Sequence, residues 1–203
     1  MTRTLSAHTR TVRLTVGALS VALLALSGNI LPPIMLIPGV PITLQIFFVA
    51  MMGLVLGTRS GLTALTATLI LAFCGLPILS GGQGGPGAFV GPTCGYIYGW
   101  YALVLLLGWY REHLMPRLVS KTWRGLSIHL LVTFAIGMVG ILLVYLCGAL
   151  GLVVVTAQPF SALGALWLSN LAFLPADAVK IALAAMASSA LFARPIFRVL
   201  GSD

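Results

Sequence analysis

The stretch Pro175-Ala-Asp-Ala-Val-Lys-Ile-Ala-Leu-Ala-Ala-Met186 is apolar enough for a membrane interior, yet it carries Asp177 and Lys180. Because the two residues are three positions apart, a helix places their side chains on one face, where they can pair. Charged side chains are costly at membrane depth, and those found there usually mark a substrate or ion site. The alternative interpretation is a purely structural ion pair, or a Lys180 that snorkels to the membrane surface. Asp177 and Lys180 are therefore the first candidate binding residues.

The composition of the whole chain is that of an integral membrane protein. Of its 203 residues, 60% are hydrophobic and 7% are charged, and the mean hydropathy is +1.11. A soluble domain carries about 25% charged residues, so this chain has too few charges to cover a globule of its size in water. We predict an all-α integral membrane protein that forms a single compact domain over residues 1–203.

Apolar windows near the length that spans a hydrocarbon core, about 20 residues, recur along the chain. Six of them are present, near Val12–Ile30, Pro41–Gly57, Gly61–Pro77, Thr93–Tyr110, Leu126–Val155 and Asn170–Phe192. The first follows a basic segment and could be a signal peptide, but it lacks a clean cleavage site and we interpret it as a membrane helix. The fifth is too long for one straight span, and we expect its helix to end near Gly148–Leu152.

The basic residues predict the orientation in the membrane. With the N-terminus inside, ten of the eleven Lys and Arg residues fall on the inner side, and Lys180 is the exception. No Lys, Arg, Asp or Glu occurs in the outer connections, near 31–40, 78–92 and 153–169. By the positive-inside rule we predict six transmembrane helices and two cytoplasmic termini, with a cytoplasmic tail at 1–11 and a basic cytoplasmic loop at 111–125. This pattern accounts for the net charge of +8 without any nucleic-acid partner.

Two outer loops have unusual compositions. The segment Leu31–Pro41 has four prolines and cannot stay helical, because each proline removes a backbone donor and crowds the preceding turn. The Gly-rich outer loop at 78–92 is suited to approach a ligand closely, since glycine reaches backbone conformations closed to other residues. We interpret it as a lid over a pocket; a flexible turn without a ligand role is the alternative. It lacks the Gly-Lys-Ser/Thr ending of a phosphate-binding loop, so the chain cannot hydrolyse ATP on its own.

Small residues four positions apart predict close helix packing in lipid. They occur at Ala18 and Ala22, at Gly53 and Gly57, and at Gly91, Gly95 and Gly99. Most such pairs pack helices within one protein, whereas one on an outer face could dock another membrane protein.

Aromatic, histidine and cysteine residues give weaker signals. We assign the aromatic clusters at the two ends of the fourth window to the membrane interfaces, although Tyr96 or Tyr98 could turn inward towards a ligand. His129 is interpreted as an interfacial residue. The three cysteines have no metal-ligand spacing, so we expect small buried side chains, no metal site and no cofactor.

Several motifs, in their order along the chain, resemble the BioY family. They are Val40-Pro-Ile-Thr-Leu-Gln45, Gly75-Leu-Pro77, the Gly81–Gly87 run, Gly91-Pro-Thr-Cys-Gly-Tyr96 and Leu174-Pro-Ala-Asp-Ala-Val-Lys180. BioY proteins are the biotin-binding S-components of energy-coupling factor (ECF) transporters in prokaryotic cytoplasmic membranes. Cys94 and Ala176 depart from the family pattern, which favours glycine at both positions.

The resemblance implies six membrane helices and an outward pocket closed by the loops after helices one and three. Lys180 would receive the biotin carboxylate, and Asp177 would keep Lys180 charged and oriented. The ureido group would be bound by the side chains of Gln83, Thr43 and Gln45 and by the backbone amides of the loop from Gly84 through Gly85 to Gly87. Tyr96 would form part of the pocket wall.

The resemblance also implies a partner. S-components of this kind dock through their first helices, here at Ala18 and Ala22, onto a transmembrane coupling subunit that carries two ATPases. Some BioY proteins act without that module, so self-association is the alternative.

Other functions fit the residues less well. An S-component for another small vitamin or carboxylated cofactor is the nearest alternative, but thiamine and riboflavin lack a carboxylate for Lys180. An intramembrane aspartyl protease needs two membrane aspartates, and a serine–histidine pair of Ser80 and His129 is predicted on opposite sides of the membrane. A channel should line a continuous polar path, which the second and third windows lack.

Overall fold

The computed structural model describes residues 2–30, 34–37, 40–118 and 123–192, which are mainly helical. The helices are α1 (Thr2–Ile30), α2 (Gln45–Met51), α3 (Gly57–Phe73), α4 (Cys94–His113), α5 (Met115–Leu118), α6 (Trp123–Val155), α7 (Leu163–Ser169) and α8 (Leu174–Phe192). A π-helical turn, Met52–Leu56, joins α2 to α3, and short 3-10 turns cover Ser80–Gly82, Pro86–Phe89, Phe160–Ala162 and Asn170–Phe173.

The proline-rich connection after α1 contains a short two-stranded hairpin within an otherwise helical fold. Strands β1 (Ile34–Ile37) and β2 (Val40–Ile42) pair antiparallel, with Ile34 opposite Ile42. Each strand of a two-stranded hairpin is an edge strand, so a proline such as Pro41 can sit where no ladder donor is needed. The prolines exclude a helix there, as expected, but they do not exclude a hairpin.

Four helical stretches of the described chain are long and apolar enough to cross a membrane. They are Arg10–Asn29, Gln45–Phe73, Trp123–Val155 and Phe160–Phe192. The protein is therefore a multi-pass membrane protein.

The second of these stretches reverses its direction at Gly57. The backbone of Gly57 has φ 79° and ψ −174°, a conformation that glycine adopts without steric cost. A Cβ at Gly61 would lie 2.9 Å from the carbonyl oxygen of Met52, whereas nine residues of straight helix separate two positions by about 14 Å. Helix α3 therefore turns back against the π-helical turn instead of continuing α2 in a straight line, which agrees with the prediction of two windows that meet near this glycine.

Three helices extend beyond their predicted limits. Helix α1 begins at Thr2, within the segment predicted to be a tail, and α4 continues to His113, within the predicted loop 111–125. Helix α6 does not end near Gly148–Leu152 but continues to Val155, because glycines alone do not stop a helix. At 33 residues it is about 50 Å long, so its ends pass beyond a hydrocarbon core of about 30 Å.

Two ionic residues of the predicted basic loop belong instead to the end of α4. Arg111 is buried, with its guanidinium 5.3 Å from the ring centre of Phe192. Glu112 accepts hydrogen bonds from the backbone N–H of Thr58 at 2.6 Å and from its hydroxyl at 2.9 Å. A carboxylate is favourable there because the first N–H groups of α3 have no partner within the helix. The predicted basic residues Lys121, Arg194 and Arg198 lie outside the described residues.

Glycines allow α4 to touch two neighbouring helices. A Cβ at Gly53 would lie 2.9 Å from the carbonyl oxygen of Val104, and one at Gly99 would lie 2.8 Å from the Cα of Val144. The prediction of close helix packing is thus confirmed at Gly53 and at Gly99. Gly91 lies before α4, so the first member of the series Gly91, Gly95 and Gly99 does not serve helix packing.

Replacing Gly99 by alanine should lower the free energy of unfolding by about 1–3 kcal/mol, because the added methyl group overlaps the backbone of α6. Thermal unfolding in detergent measures this change. Gly17→Ala is the matched control, since nothing lies within 4 Å of a Cβ at Gly17. Equal melting temperatures for the two variants would contradict the close contact.

Candidate substrate-binding cavity

A cavity of about 680 Å³, counting its open mouth, lies between the glycine-rich loop and helices α2, α4, α6 and α8. Its lining residues are Thr43, Gln45, Ile46, Leu79, Ser80, Gln83, Thr93, Tyr96, Ile97, Trp100, Val144, Tyr145, Phe173, Asp177 and Lys180.

Asp177 and Lys180 form a buried ion pair on the wall of this cavity. Lys180 Nζ lies 2.7 Å from Asp177 Oδ1, and the two residues are 7% and 5% exposed. Helix α8 begins just before them, with Pro175 in its first turn, where proline's missing N–H has no cost. Asp177 also lies in that first turn, so its negative charge is favourable beside the positive end of the helix dipole.

The second carboxylate oxygen of Asp177 is bound by a residue from α6. The hydroxyl of Tyr145 donates to Asp177 Oδ2 at 2.8 Å, so both oxygens have a donor and the carboxylate is fixed in orientation. An ammonium group has three donors, and one of them binds Asp177. Since Lys180 also lines the cavity, its ammonium is placed to donate to a ligand oxygen.

Two positions were expected for Tyr96, one at the membrane interface and one turned inward towards a ligand. The structure shows the inward one, with Tyr96 lining the cavity from α4. Its hydroxyl donates to Asn170 Oδ1 at 2.6 Å, and Asn170 Nδ2 donates to the carbonyl oxygen of Leu166 at 3.1 Å. The Tyr96 ring occupies the space that a Cβ at Gly148 would fill. Tyr98 instead points outward and is 51% exposed.

Three polar residues predicted to bind the ureido group also line the cavity: Gln83, Thr43 and Gln45. Gln45 is 2% exposed, and its Nε2 donates to the carbonyl oxygen of Ile78 at 3.1 Å. Part of its hydrogen-bonding capacity therefore holds the glycine-rich loop.

Gly84 and Gly85 lie outside the lining residues. Gly84 packs against the carbonyl group of Leu76, and the Gly85 N–H donates to the carbonyl oxygen of Ala72 at 2.7 Å. These two glycines shape the loop, and the amide of Gly85 is already used.

Several lining residues were not identified from the sequence. Trp100, assigned there to the membrane interface, is 5% exposed and forms part of the wall, as does Phe173. Tyr145, which lines the cavity, and Asn170, which binds Tyr96, sit in apolar segments with no local motif. The fact that each is a polar group in such a segment is the one signal that could have identified them.

The interfacial assignment of His129 was wrong. Its side chain is fully buried, and Nδ1 lies 2.7 Å from the hydroxyl of Tyr110, which is itself buried rather than interfacial. The Tyr110 hydroxyl and His129 Nδ1 thus pair between α4 and α6, where a buried polar group without a partner is unfavourable.

Ala18 and Ala22 lie on an exposed face of α1. Leu14 and Leu26 continue this face at four-residue spacing and are 66% and 58% exposed. The face is therefore open to lipid or to another membrane protein.

Tyr145→Phe should lower the free energy of unfolding by about 1–3 kcal/mol, because Asp177 loses a donor in a buried site. Thermal unfolding in detergent without ligand measures the change. The control is Tyr98→Phe, which removes a hydroxyl bonded to the carbonyl oxygen of Phe89 at an exposed position. A Tyr145→Phe variant as stable as this control would show that the hydrogen bond to Asp177 contributes little.

The sequence of the chain is similar to those of BioY proteins. The family model described as "BioY family" matches residues 1–195. The "Biotin transporter BioY" of Rhizobium etli is 38% identical over 182 residues, which cover 88% of this chain and 91% of that protein. The protein of the same name from Rhodobacter capsulatus is 34% identical, over 79% of this chain and 83% of the relative.

A solved structure has the same fold. It is described as "Crystal structure at 2.1 A of the S-component for biotin from an ECF-type ABC transporter". The match has a TM-score of 0.80 and 30% sequence identity, and it covers 96% of this chain and 98% of the other.

Proposed function

The chain belongs to the BioY family, and from that premise we propose that it binds biotin in the cavity beside Lys180 and takes it up across a membrane. The family comprises S-components of transporters rather than enzymes. The observation that carries the proposal is the buried ion pair of Lys180 and Asp177 on the wall of a largely apolar cavity.

The cavity matches the chemistry of biotin. The vitamin has an apolar bicyclic ring and chain, a ureido group and one carboxylate. Trp100, Phe173 and Val144 offer apolar surface, and Thr43 and Gln83 offer donors and acceptors for the ureido group. A site that is mostly apolar with a few aimed polar groups gives both affinity and orientation.

Lys180 is the proposed partner of the biotin carboxylate. Its ammonium is held by Asp177, and Asp177 is held by Tyr145, so the cation has a fixed position before the ligand arrives. Hydrogen bonds between ionised groups are about twice as strong as neutral ones, and the partly closed site limits screening by solvent.

Lys180→Ala should weaken biotin binding by about 2 kcal/mol or more, because it removes the cation and leaves Asp177 buried without it. Titration calorimetry of the purified protein in detergent measures the affinity. Asp177→Asn combined with Lys180→Met is the companion variant, since it contains no unpaired buried charge and separates lost binding from lost folding. Full affinity in both variants would refute the carboxylate role.

Biotin methyl ester makes the test specific for one end of the ligand. If Lys180 binds the carboxylate, the wild type loses affinity for the ester, and Lys180→Ala binds biotin and the ester equally. A cycle of two proteins and two ligands measures this coupling directly. If the wild type is folded and binds neither ligand, the biotin assignment fails and other carboxylated vitamins become the candidates.

For transport, we propose that the exposed face at Ala18 and Ala22 docks onto the coupling subunit of an ECF module with two ATPases. The supporting observations are the exposure of both alanines and the context named for the similar crystal structure. Small residues permit the close approach of a partner helix in lipid. Self-association through the same face is the competing arrangement.

Six crossings with both termini in the cytoplasm complete the proposed arrangement. The reversal at Gly57 allows the segment that ends with α2 and the π-helical turn to cross separately from α3, and α4 adds a helix of 20 residues. The one-sided distribution of basic residues supports this orientation in the cytoplasmic membrane of a prokaryote, and the two relatives named above come from bacteria.

Replacing Ala18 and Ala22 by tryptophan should reduce biotin uptake by cells about tenfold or more, because the large side chains would prevent the close approach of a partner helix. Biotin binding to the purified protein should stay unchanged. Uptake of labelled biotin and copurification with the coupling subunit are the measurements. Leu131→Trp is the control, because Leu131 is 69% exposed on α6. Normal uptake by the double variant would exclude this face as the docking site.

A further inference from the structure

The end of α1 lies against the loop that forms one wall of the cavity. A Cβ at Gly28 would lie 2.6 Å from the carbonyl oxygen of Ile78 and 2.9 Å from that of Leu79, so the backbones of helix and loop are in direct contact. Leu79 is 3% exposed and lines the cavity. The position of this wall therefore depends on its contact with α1.

Asn29, the next residue of α1, binds the same loop through its side chain. Its Nδ2 donates to the carbonyl oxygen of Pro77 at 2.8 Å. Its Oδ1 would lie 3.1 Å from a Cβ at Gly82. Pro77 and Gly82 flank the lining residues Leu79 and Ser80, so one side chain touches the loop on both sides of the cavity wall.

The loop segment between these contacts has internal hydrogen bonds of its own. The N–H of Leu79 donates to the carbonyl oxygen of Gln83 at 3.0 Å, and the N–H of Gly82 donates to that of Leu79 at 3.0 Å. Gly81 and Gly82 have φ angles of 68° and 72°, which glycine allows without strain. These internal hydrogen bonds maintain the conformation of the turn. Its contacts with the helices determine its position relative to the cavity.

Two side chains from two neighbouring helices provide these attachments. Gln45 of α2 binds the carbonyl oxygen of Ile78, and Asn29 of α1 binds that of Pro77. Gln45 is buried in the cavity wall, whereas Asn29 is exposed and lies outside the lining residues. Asn29 can therefore affect a ligand only through the loop.

We propose that Asn29 is a positioning residue that holds the turn at residues 77–83 over the cavity and thereby slows the escape of bound ligand. The proposal rests on the proposed function insofar as the ligand is biotin. The hydrogen bond to Pro77 stabilises the covered cavity relative to an open one. Its loss raises the fraction of time that the loop is open.

The test compares Asn29→Ala and Asn29→Asp with the wild type. Aspartate keeps the size of the side chain but replaces the donor with an oxygen that repels the Pro77 carbonyl group. Because Asn29 is exposed, neither change removes a core contact. Ser20→Ala is the control on the same helix, since the hydroxyl of Ser20 bonds only locally, to the carbonyl oxygen of Val16.

Hydrogen exchange in the ligand-free protein is the first measurement. Peptides that contain the amides of Leu79 and Gly82 should exchange about three- to tenfold faster in both Asn29 variants, as expected for the loss of one hydrogen bond, and at the wild-type rate in Ser20→Ala. The second measurement is the dissociation rate of labelled biotin chased with unlabelled biotin, which should rise by a similar factor in both Asn29 variants.

The two measurements distinguish a failure of the proposed function from a failure of the positioning role. A folded wild type that does not bind biotin overturns the proposed function, while hydrogen exchange still decides whether Asn29 holds the loop. Wild-type exchange in both Asn29 variants overturns the positioning role. Faster exchange with an unchanged dissociation rate overturns it as well, because the loop would then not control the escape of the ligand.

Discussion

The ionised carboxylate of Asp177 imposes the strictest requirement on this structure. A buried charge without partners is strongly unfavourable, and here both of its oxygens are bound, one by Lys180 from one turn further along α8 and the other by Tyr145 from α6. The helix spacing supplies the first donor locally. The second requires α6 and α8 to lie side by side at one rotational setting, so the packing of two helices is coupled to the satisfaction of one side chain.

Two glycines at helix contacts allow α4 and α6 to pack closely beside the cavity. At Gly148 the absence of a side chain gives room to the ring of Tyr96, and at Gly99 it brings α4 against α6. Tyr96, Tyr145, Asp177 and Lys180 thus face the cavity from closely packed helices. Gly28 has a similar effect on the loop at residues 77–83, which lines the cavity, because it allows direct backbone contact between α1 and this loop.

Much of the fold and part of the site could be predicted from the sequence. The membrane location, the reversal near Gly57 and the pairing of Asp177 with Lys180 depend on hydropathy, glycine and local helical spacing. Tyr145 could not be found in this way, because it lies 32 residues from Asp177 and its contact exists only after α6 and α8 pack. His129 was misassigned for the same reason, since its partner Tyr110 belongs to another helix.

The sequence by itself determined that the chain lies in a membrane, that α8 carries an ion pair and that the chain is similar to BioY proteins. These properties depend on composition, on contacts within one turn of helix and on the order of short motifs. Only the tertiary structure decided that Tyr145 binds Asp177, that Trp100 faces the cavity and that Asn29 and Gln45 donate to loop carbonyl groups. Such contacts join segments distant in the chain, and their geometry depends on how the helices pack, which no local pattern specifies.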